Sequence, residues 1–517
     1  MKRWGVCQPD PRPFARAQLG CVVLPDGVDA TSVNFRTLLR REQAEVEVTL
    51  GGPIMFVASR DIGDEHFPRC LIGPASQNAS LRTTLEARIA QGAEPSPAGP
   101  SVAIDRDDRG RVTVLVGGAA LGQTGEALNL LWTADRTGAS LTQPSACFSA
   151  SDALTIIAEE VGATWPSFSL REVDWEDVIA RHRDAVIRSD ADLISLQHLF
   201  AELDDAHTWA RDSRINARLP YRTCVNGDLV TLVHVPRWSA GWDAGVRTGD
   251  ALIGLDAKAW WDRTSATART KPTTTGYRML AGSVGKTRTL QARTSTGKVI
   301  EWQETFQQNP WPEPVSWSRL NDTGTGYLRI RGWQADANWY GVIDEALSAF
   351  RSTPHLIVDL RGNVGGSLIA AQHFRDRFLR GRTHLGTIRF SRGDGALSSH
   401  HPIVGEPPED ACLWHKPVRF LVDRECYSAT EDALLGLQGL PHVELVGEPT
   451  GGGSGRPRFI PLRGDLAFTV STALTYDRHG RCIEGNGLVV DRALPLASPL
   501  AICQQRTDPI RLADSGW

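Results

Sequence analysis

HLIVDLRGNVGGS, residues 355–367, is the stretch from which the rest of the chain is read. Leu356, Ile357 and Val358 are consecutive apolar residues rather than alternating ones, the pattern of a strand buried on both faces. Asn363-Val364-Gly365-Gly366 breaks the strand, and LIAAQHFRDRFL (368–379) continues as a helix. The same strand–turn–helix grammar recurs at VRFLVDREC (418–426), where a helix opens at Ser428. TGYLRIRGW (325–333) reads as a further strand. WYGVIDEALSAF (339–350) reads as a helix burying Val342, Ile343, Ala346, Leu347 and Phe350. Strands alternating with helices predict an α/β fold with a mainly parallel, helix-covered sheet.

Composition narrows the function class. With 517 residues, 41% hydrophobic and 22% charged, the chain is an ordinary globular one of about three or four domains. A formal charge of −4 without a dense Lys/Arg run argues against nucleic acid as a partner. No run of about eighteen apolar residues is present, so no membrane span is expected. MKRWGVCQPDPRPF at the start has no apolar core ahead of its prolines, so a cytoplasmic location is expected. Nine cysteines are scattered singly without a CxxC pair, which disfavours a zinc ribbon and fits reduced thiols.

Four regions follow from the patterning. Residues 1–165 read as a β-rich accessory domain; AEVEVTLGG (44–52) and GRVTVLVGG (110–118) are its strands and QGAEPSPAGP (91–100) a loop. Residues 166–220 form a helical segment: Asp174 caps a helix carrying Val178, Ile179 and Val186, and a second apolar stripe runs through Leu193, Leu196, Leu199, Phe200 and Leu203. Residues 221–308 hold short strands, GDLVTLVHV, GDALIGLD, TRTLQAR and KVIEWQETF. Residues 309–517 carry the α/β core.

Two resemblances sharpen this map. AGVRTGDALIGLD (244–256) resembles the recurrent signature of PDZ domains, which bind an extended peptide as an added strand. HLIVDLRGNVGGS resembles the LIxDLRxNxGG motif of the S41 serine peptidases, VDRECYSATED (422–432) their nucleophile segment, and LVGEPTGGG and RHGRCIEGNGLVVD (478–491) follow in the family's order. The resemblance covers about residues 165–496. It implies a mostly parallel, helix-covered peptidase core, an acyl-enzyme on Ser428 and a peptide or protein substrate, with no metal or organic cofactor.

The family activates its serine in two ways. One branch uses a lysine in the glycine loop that corresponds to GEPTGGGSG (447–455), which has none; the last lysine of the chain is Lys416. The tricorn-like branch uses a histidine in a motif like LxDxHT, matched by LDDAHT (203–208), so the resemblance assigns His207 as general base and Glu484 as the group that orients it. An imidazole with a pKa near 6.5 is suited to take a hydroxyl proton at neutral pH. The oxyanion donors implied are the amides of Gly365 or Gly366 with Ala429. Two departures stand out: Ala206 where the tricorn core has Ser, and Val364 where the family often has Gly.

Each residue also has a duller role: Ser428 as a helix N-cap, His207 at a helix end, Glu484 as a solvated charge. Asp359 and Arg361 read as structural, Cys426 as packing, and His479 as a weaker base. Two functional alternatives stay open: a catalytically inactive PDZ-containing scaffold that binds peptides, and an acyltransferase or esterase using the same serine.

Overall fold

The computed structural model describes residues 149–494, apart from 309, 311–313, 321–322, 335–336, 393–394, 410, 454 and 463–464, together with 509–515 and five short strands before residue 149. The five strands are β1 (Cys21–Leu24), β2 (Met55–Ala58), β3 (Arg69–Ile72), β4 (Ser101–Arg106) and β5 (Val112–Gly117). They form one sheet in the order β2-β1-β3-β5-β4, parallel except for the β4–β5 pair. β5 falls within GRVTVLVGG; the strand expected at 44–52 and the loop at 91–100 lie outside the described residues.

Two compact units divide the chain. One comprises residues 1–166, 390–399 and 458–472, so the N-terminal region shares its unit with two short segments from the C-terminal half. Its helix α1 (Ala150–Thr164) opens with a capping box in which Ser149 and Asp152 satisfy each other's backbone N–H groups. Ile157 and Val161 are fully buried, and Glu160 pairs with Arg458 inside the unit, where either charge alone would be costly.

The second unit begins with the helical segment. Asp174 caps α2 (Trp175–Arg188) by accepting the Asp177 amide at 3.0 Å, and Val178, Ile179 and Val186 are buried. Asp192 caps α3 (Leu193–Ala201), which buries Leu196, Leu199 and Phe200. Next comes an antiparallel sheet of β6 (Arg222–Asn226), β7 (Leu229–His234), β8 (Ala251–Ile253), β9 (Thr287–Arg293) and β10 (Val299–Thr305), in the order β10-β9-β8-β7-β6. Strict alternation in β9 and β10 turns Leu290, Ala292 and Trp302 inward. Helix α4 (Lys271–Met279) lies directly on β6, and a Cβ at Gly276 would stand 2.4 Å from Thr223 Oγ1.

The core sheet has the order β11 (Val315–Arg319), β12 (Gly326–Ile330), β13 (Leu356–Asp359), β14 (Val418–Val422), β15 (Val443–Gly447), β16 (Arg492–Ala493), parallel except for β11. Helices α5 (Ala337–Ala349), α6 (Leu368–Asp376) and α7 (Ala429–Leu434) connect the strands. Leu356, Val358, Phe420 and Leu445 enter the main core with Phe350, Phe374 and Phe378, while Ile357, Leu421 and Val446 pack on the other face with Ala513. Both faces are therefore dry, which is why these strands are apolar without alternation.

β13 and β14 are paired with Asp359 opposite Leu421, so the turns that leave their C-terminal ends lie side by side. Open parallel sheets place ligands at such ends. Asp359 holds this corner together: Arg329 Nη1 and Arg361 Nη2 reach it at 2.7 Å and Tyr327 Oη at 2.8 Å. Against its burial, the two guanidiniums hold its carboxyl well below the usual carboxylate range. Among the described residues no helix is long and apolar enough to cross a membrane.

Phe420 is 1% exposed and meets Phe378 edge-on at 5.2 Å. Phe420→Ala is expected to lower stability by ~3–5 kcal/mol, read as a fall in the urea midpoint of the unit that holds the core sheet.

Candidate active site

Ser428 is built by the turn after β14. Asp423 Oδ1 accepts the amides of Gly362 at 2.9 Å and Glu425 at 3.0 Å, tying the two adjacent turns together. Cys426 Sγ donates to Leu360 O at 3.1 Å, and the Tyr427 amide donates to Asn363 O at 3.3 Å. Ser428 then takes φ 57°, ψ −126°, a strained conformation for a residue with a side chain. Its amide donates to Gly453 O at 2.9 Å, and its carbonyl accepts the amides of Glu431 and Asp432. The side chain makes no cap bond to α7. Instead Ser428 Oγ lies 3.0 Å from His207 Nε2.

Gly365 makes room for this turn. At φ 115° its missing Cβ would fall 2.9 Å from Ser428 Cβ, so any side chain there would push the serine away. Its amide is donated to Asn363 Oδ1 at 3.1 Å. Gly366 is flanked by bonds to Trp333 made by Gly365 O and Ser367 N, which leaves its own N–H facing the other side. Among the described residues neither the Gly366 nor the Ala429 amide bonds a protein acceptor.

His207 is positioned by Asp205. The carboxylate accepts the His207 amide at 2.8 Å through Oδ1 and the Thr208 hydroxyl at 2.7 Å through Oδ2. Asp205 is itself fully buried, its amide donating to Ser265 Oγ at 3.1 Å and its carbonyl accepting the Ser265 hydroxyl at 2.7 Å. The loop is thus rigid although residue 206 is alanine. The imidazole is tilted against the Tyr427 ring, with centroids 4.8 Å apart. Burial pushes the His207 pKa down from 6.5, while the charges of Asp205 and Asp432 oppose the shift and Arg456 adds to it.

Glu484 is buried and bonds Arg171 Nη2 at 3.0 Å; Arg171 Nη1 also donates to Leu203 O at 3.0 Å. The pair therefore braces the segment that leads from α3 to His207. Burial and the neighbouring Asp205 push the Glu484 carboxyl up to about 8 against the pull of Arg171. The carboxylates whose charge acts on the His207 ring are Asp205 and Asp432, with Glu484 behind them in the same buried cluster. Asp205 was within reach of sequence reading, since it is the aspartate of LDDAHT. Arg171, far from every motif, had no such signal.

Glu431 clamps the glycine loop. Its Oε1 accepts the Thr450 hydroxyl and the Gly452 amide, and its Oε2 accepts the Gly453 amide at 2.7 Å. A Cβ at Gly453 would fall 1.9 Å from Tyr427 Oη, and one at Gly451 would fall 2.7 Å from Tyr427 Cδ2. A side chain at either position would therefore collide with the tyrosine ring that packs against His207.

A cavity of about 390 Å³ opens from Ser428 and His207. Tyr277 and Arg278 of α4, Arg222 and Thr223 of β6, and the exposed Val364 line it. Among the described residues no cluster of His, Cys, Asp or Glu is arranged to hold a metal ion.

Residues 324–494 match the family model of Peptidase family S41. The match places an S41-type peptidase domain in the C-terminal part of the chain. A carboxy-terminal-processing protease of Bartonella bacilliformis is 29% identical over 151 residues, 27% of this chain and 31% of that protein's length. Mature CPAF complexed with lactacystin has a TM-score of 0.53 at 15% identity, covering 71% of this chain and 96% of that one, a likeness of fold. The photosystem II D1 C-terminal processing protease has a TM-score of 0.47 at 17% identity, covering 69% and 97%.

The pH dependence of Ser428 labelling by a fluorophosphonate follows from the depressed imidazole pKa. Only a neutral ring can accept a proton from the Ser428 hydroxyl it faces, and a lowered pKa keeps it neutral at more acidic pH. The acid limb of the labelling rate is expected below pH 6.5; a midpoint above that value contradicts the placement of His207. Asp205→Asn removes a charge that opposes the shift and loosens the loop. It should move the limb further to acid and slow labelling ~10²-fold, where a purely structural role would leave the limb in place.

Proposed function

We propose that this chain hydrolyses peptide bonds through an acyl-enzyme on Ser428, with His207 as general base. The observation that carries the reading is the 3.0 Å approach of His207 Nε2 to Ser428 Oγ. As Oγ attacks the carbonyl carbon, its proton passes to Nε2. The oxyanion that forms is met by the Ala429 amide at the head of α7 and by the Gly366 amide. Gly365, whose amide is engaged by Asn363, contributes space. The C–N bond then breaks, His207 gives its proton to the leaving amine, and water releases the acyl group by the same relay in reverse. Asp205 favours the transient imidazolium, while Glu484 and Arg171 are positioning residues that keep the loop in place.

The sheet of β6–β10 with α4 is assigned as a PDZ-like module. Its helix forms a wall of the cavity, which suits it to guide an extended polypeptide toward Ser428. The assembled Ser–His pair speaks against an inactive scaffold, because a protein that only binds peptides has no need of a strained serine facing an imidazole. Unbridged Cys224, Cys412, Cys426 and Cys482 support the proposed cytoplasmic location.

Labelling with a fluorophosphonate tests the reading. The wild type should be modified on Ser428, Ser428→Ala should not be, and His207→Ala should label at least ~10²-fold more slowly. Folded wild-type protein that resists labelling would overturn it. Product analysis of peptide cleavage with and without added amine nucleophiles then separates hydrolysis from acyl transfer.

A further inference from the structure

The cavity beside Ser428 carries more positive charge than its own acids neutralise. Five arginines line it, Arg218, Arg222, Arg278, Arg329 and Arg331, against the single carboxylate of Glu425. Arg222 is paired with Glu425 and Asp423, and Arg329 with Asp359. Arg218 and Arg278 have no carboxylate partner among the described residues. Each is stacked on an aromatic ring, Arg218 3.6 Å over Tyr277 and Arg278 4.4 Å over Trp209. Stacking uses the face of a guanidinium and leaves its N–H edge available for a carboxylate fork.

Arg278 is the more telling of the two. It is only 8% exposed, and among the described residues its Nη1 has no partner and its one polar bond is a long 3.5 Å contact from Nη2 to Ala206 O, next to His207. Burial pushes both guanidiniums down to about 10, and of the neighbouring carboxylates Asp205 favours the charged form of Arg278, whose place beside His207 is given by its contact with Ala206 O. A desolvated, unpaired cation is an expensive feature to keep unless something anionic arrives.

From this, and resting on the peptidase reading above, the geometry points to a carboxylate subsite formed by Arg278 and Arg218. The subsite takes a carboxylate of the substrate close to the bond that is cut, and the chemistry is met by an acidic side chain or by a free C-terminus. Val364 and Tyr277 supply an apolar wall beside it.

Binding to the Ser428→Ala protein tests the subsite without turnover. The probes are fluorescein-labelled Ala/Gly peptides with one Asp or Glu, matched peptides with Asn or Gln, and each sequence with a free or amidated C-terminus. The carboxylate-bearing probes should bind ~10–100-fold more tightly than the amides, and the pair of arms that shows the difference identifies its source. Arg278→Gln should abolish that preference, and Arg218→Gln, at a less buried position, should reduce it; thermal melts confirm that each variant is folded. Equal binding of acid and amide probes, no binding of any probe, or a preference that survives both substitutions overturns the subsite. Fluorophosphonate labelling of the wild type reports separately on the peptidase reading, so one failure is not mistaken for the other.

Discussion

A hydrogen bond of 3.0 Å joins two side chains 221 residues apart, and the surrounding structure is arranged to make it. One end sits on a turn whose backbone is strained, the other on a loop stitched by a buried aspartate. Neither would hold its position alone. A serine at φ 57° relaxes unless its neighbours over-determine it. Here the Gly453 carbonyl fixes its amide, two amides of α7 fix its carbonyl, and Gly365 leaves space beside its Cβ.

The buried carboxylates explain how that arrangement stays rigid. Asp205 fixes the histidine loop, Glu431 the glycine loop, Asp423 the crossing of the two turns, and Asp359 the strand corner beneath them. Each accepts backbone or guanidinium N–H groups, so the energetic cost of burying it is offset by bonds with defined directions. Such bonds have defined directions, which apolar packing alone does not supply, and they fix the geometry in which Ser428 and His207 meet. The cavity arginines show the opposite condition. Arg218 and Arg278 are held by ring faces, with no carboxylate paired to them among the described residues.

Much of this was legible in the sequence, for physical reasons. β13 and β14 read as continuous apolar runs because both of their faces are dry, and α2 was marked by its capping aspartate and helical spacing. Ser428 and His207 stood in short motifs whose spacing is local, so their identities were visible although their contact was not. What stayed hidden depends on tertiary placement. Arg171 reaches Glu484 across 313 residues with no pattern at either end. Whether Gly365 or Gly366 offers a free amide turns on the Asn363 side chain, which no spacing reveals. Ala206, where the tricorn core has Ser, left open what orients His207; Asp205 and Ser265 secure the loop from below.

The most direct measurement is a crystal structure of the fluorophosphonate adduct. The account predicts phosphorus bonded to Ser428 Oγ, its phosphoryl oxygen within hydrogen-bonding distance of the Ala429 amide, and His207 Nε2 still facing that oxygen–phosphorus bond. An adduct on another residue, or one on Ser428 with the imidazole turned away, would contradict it.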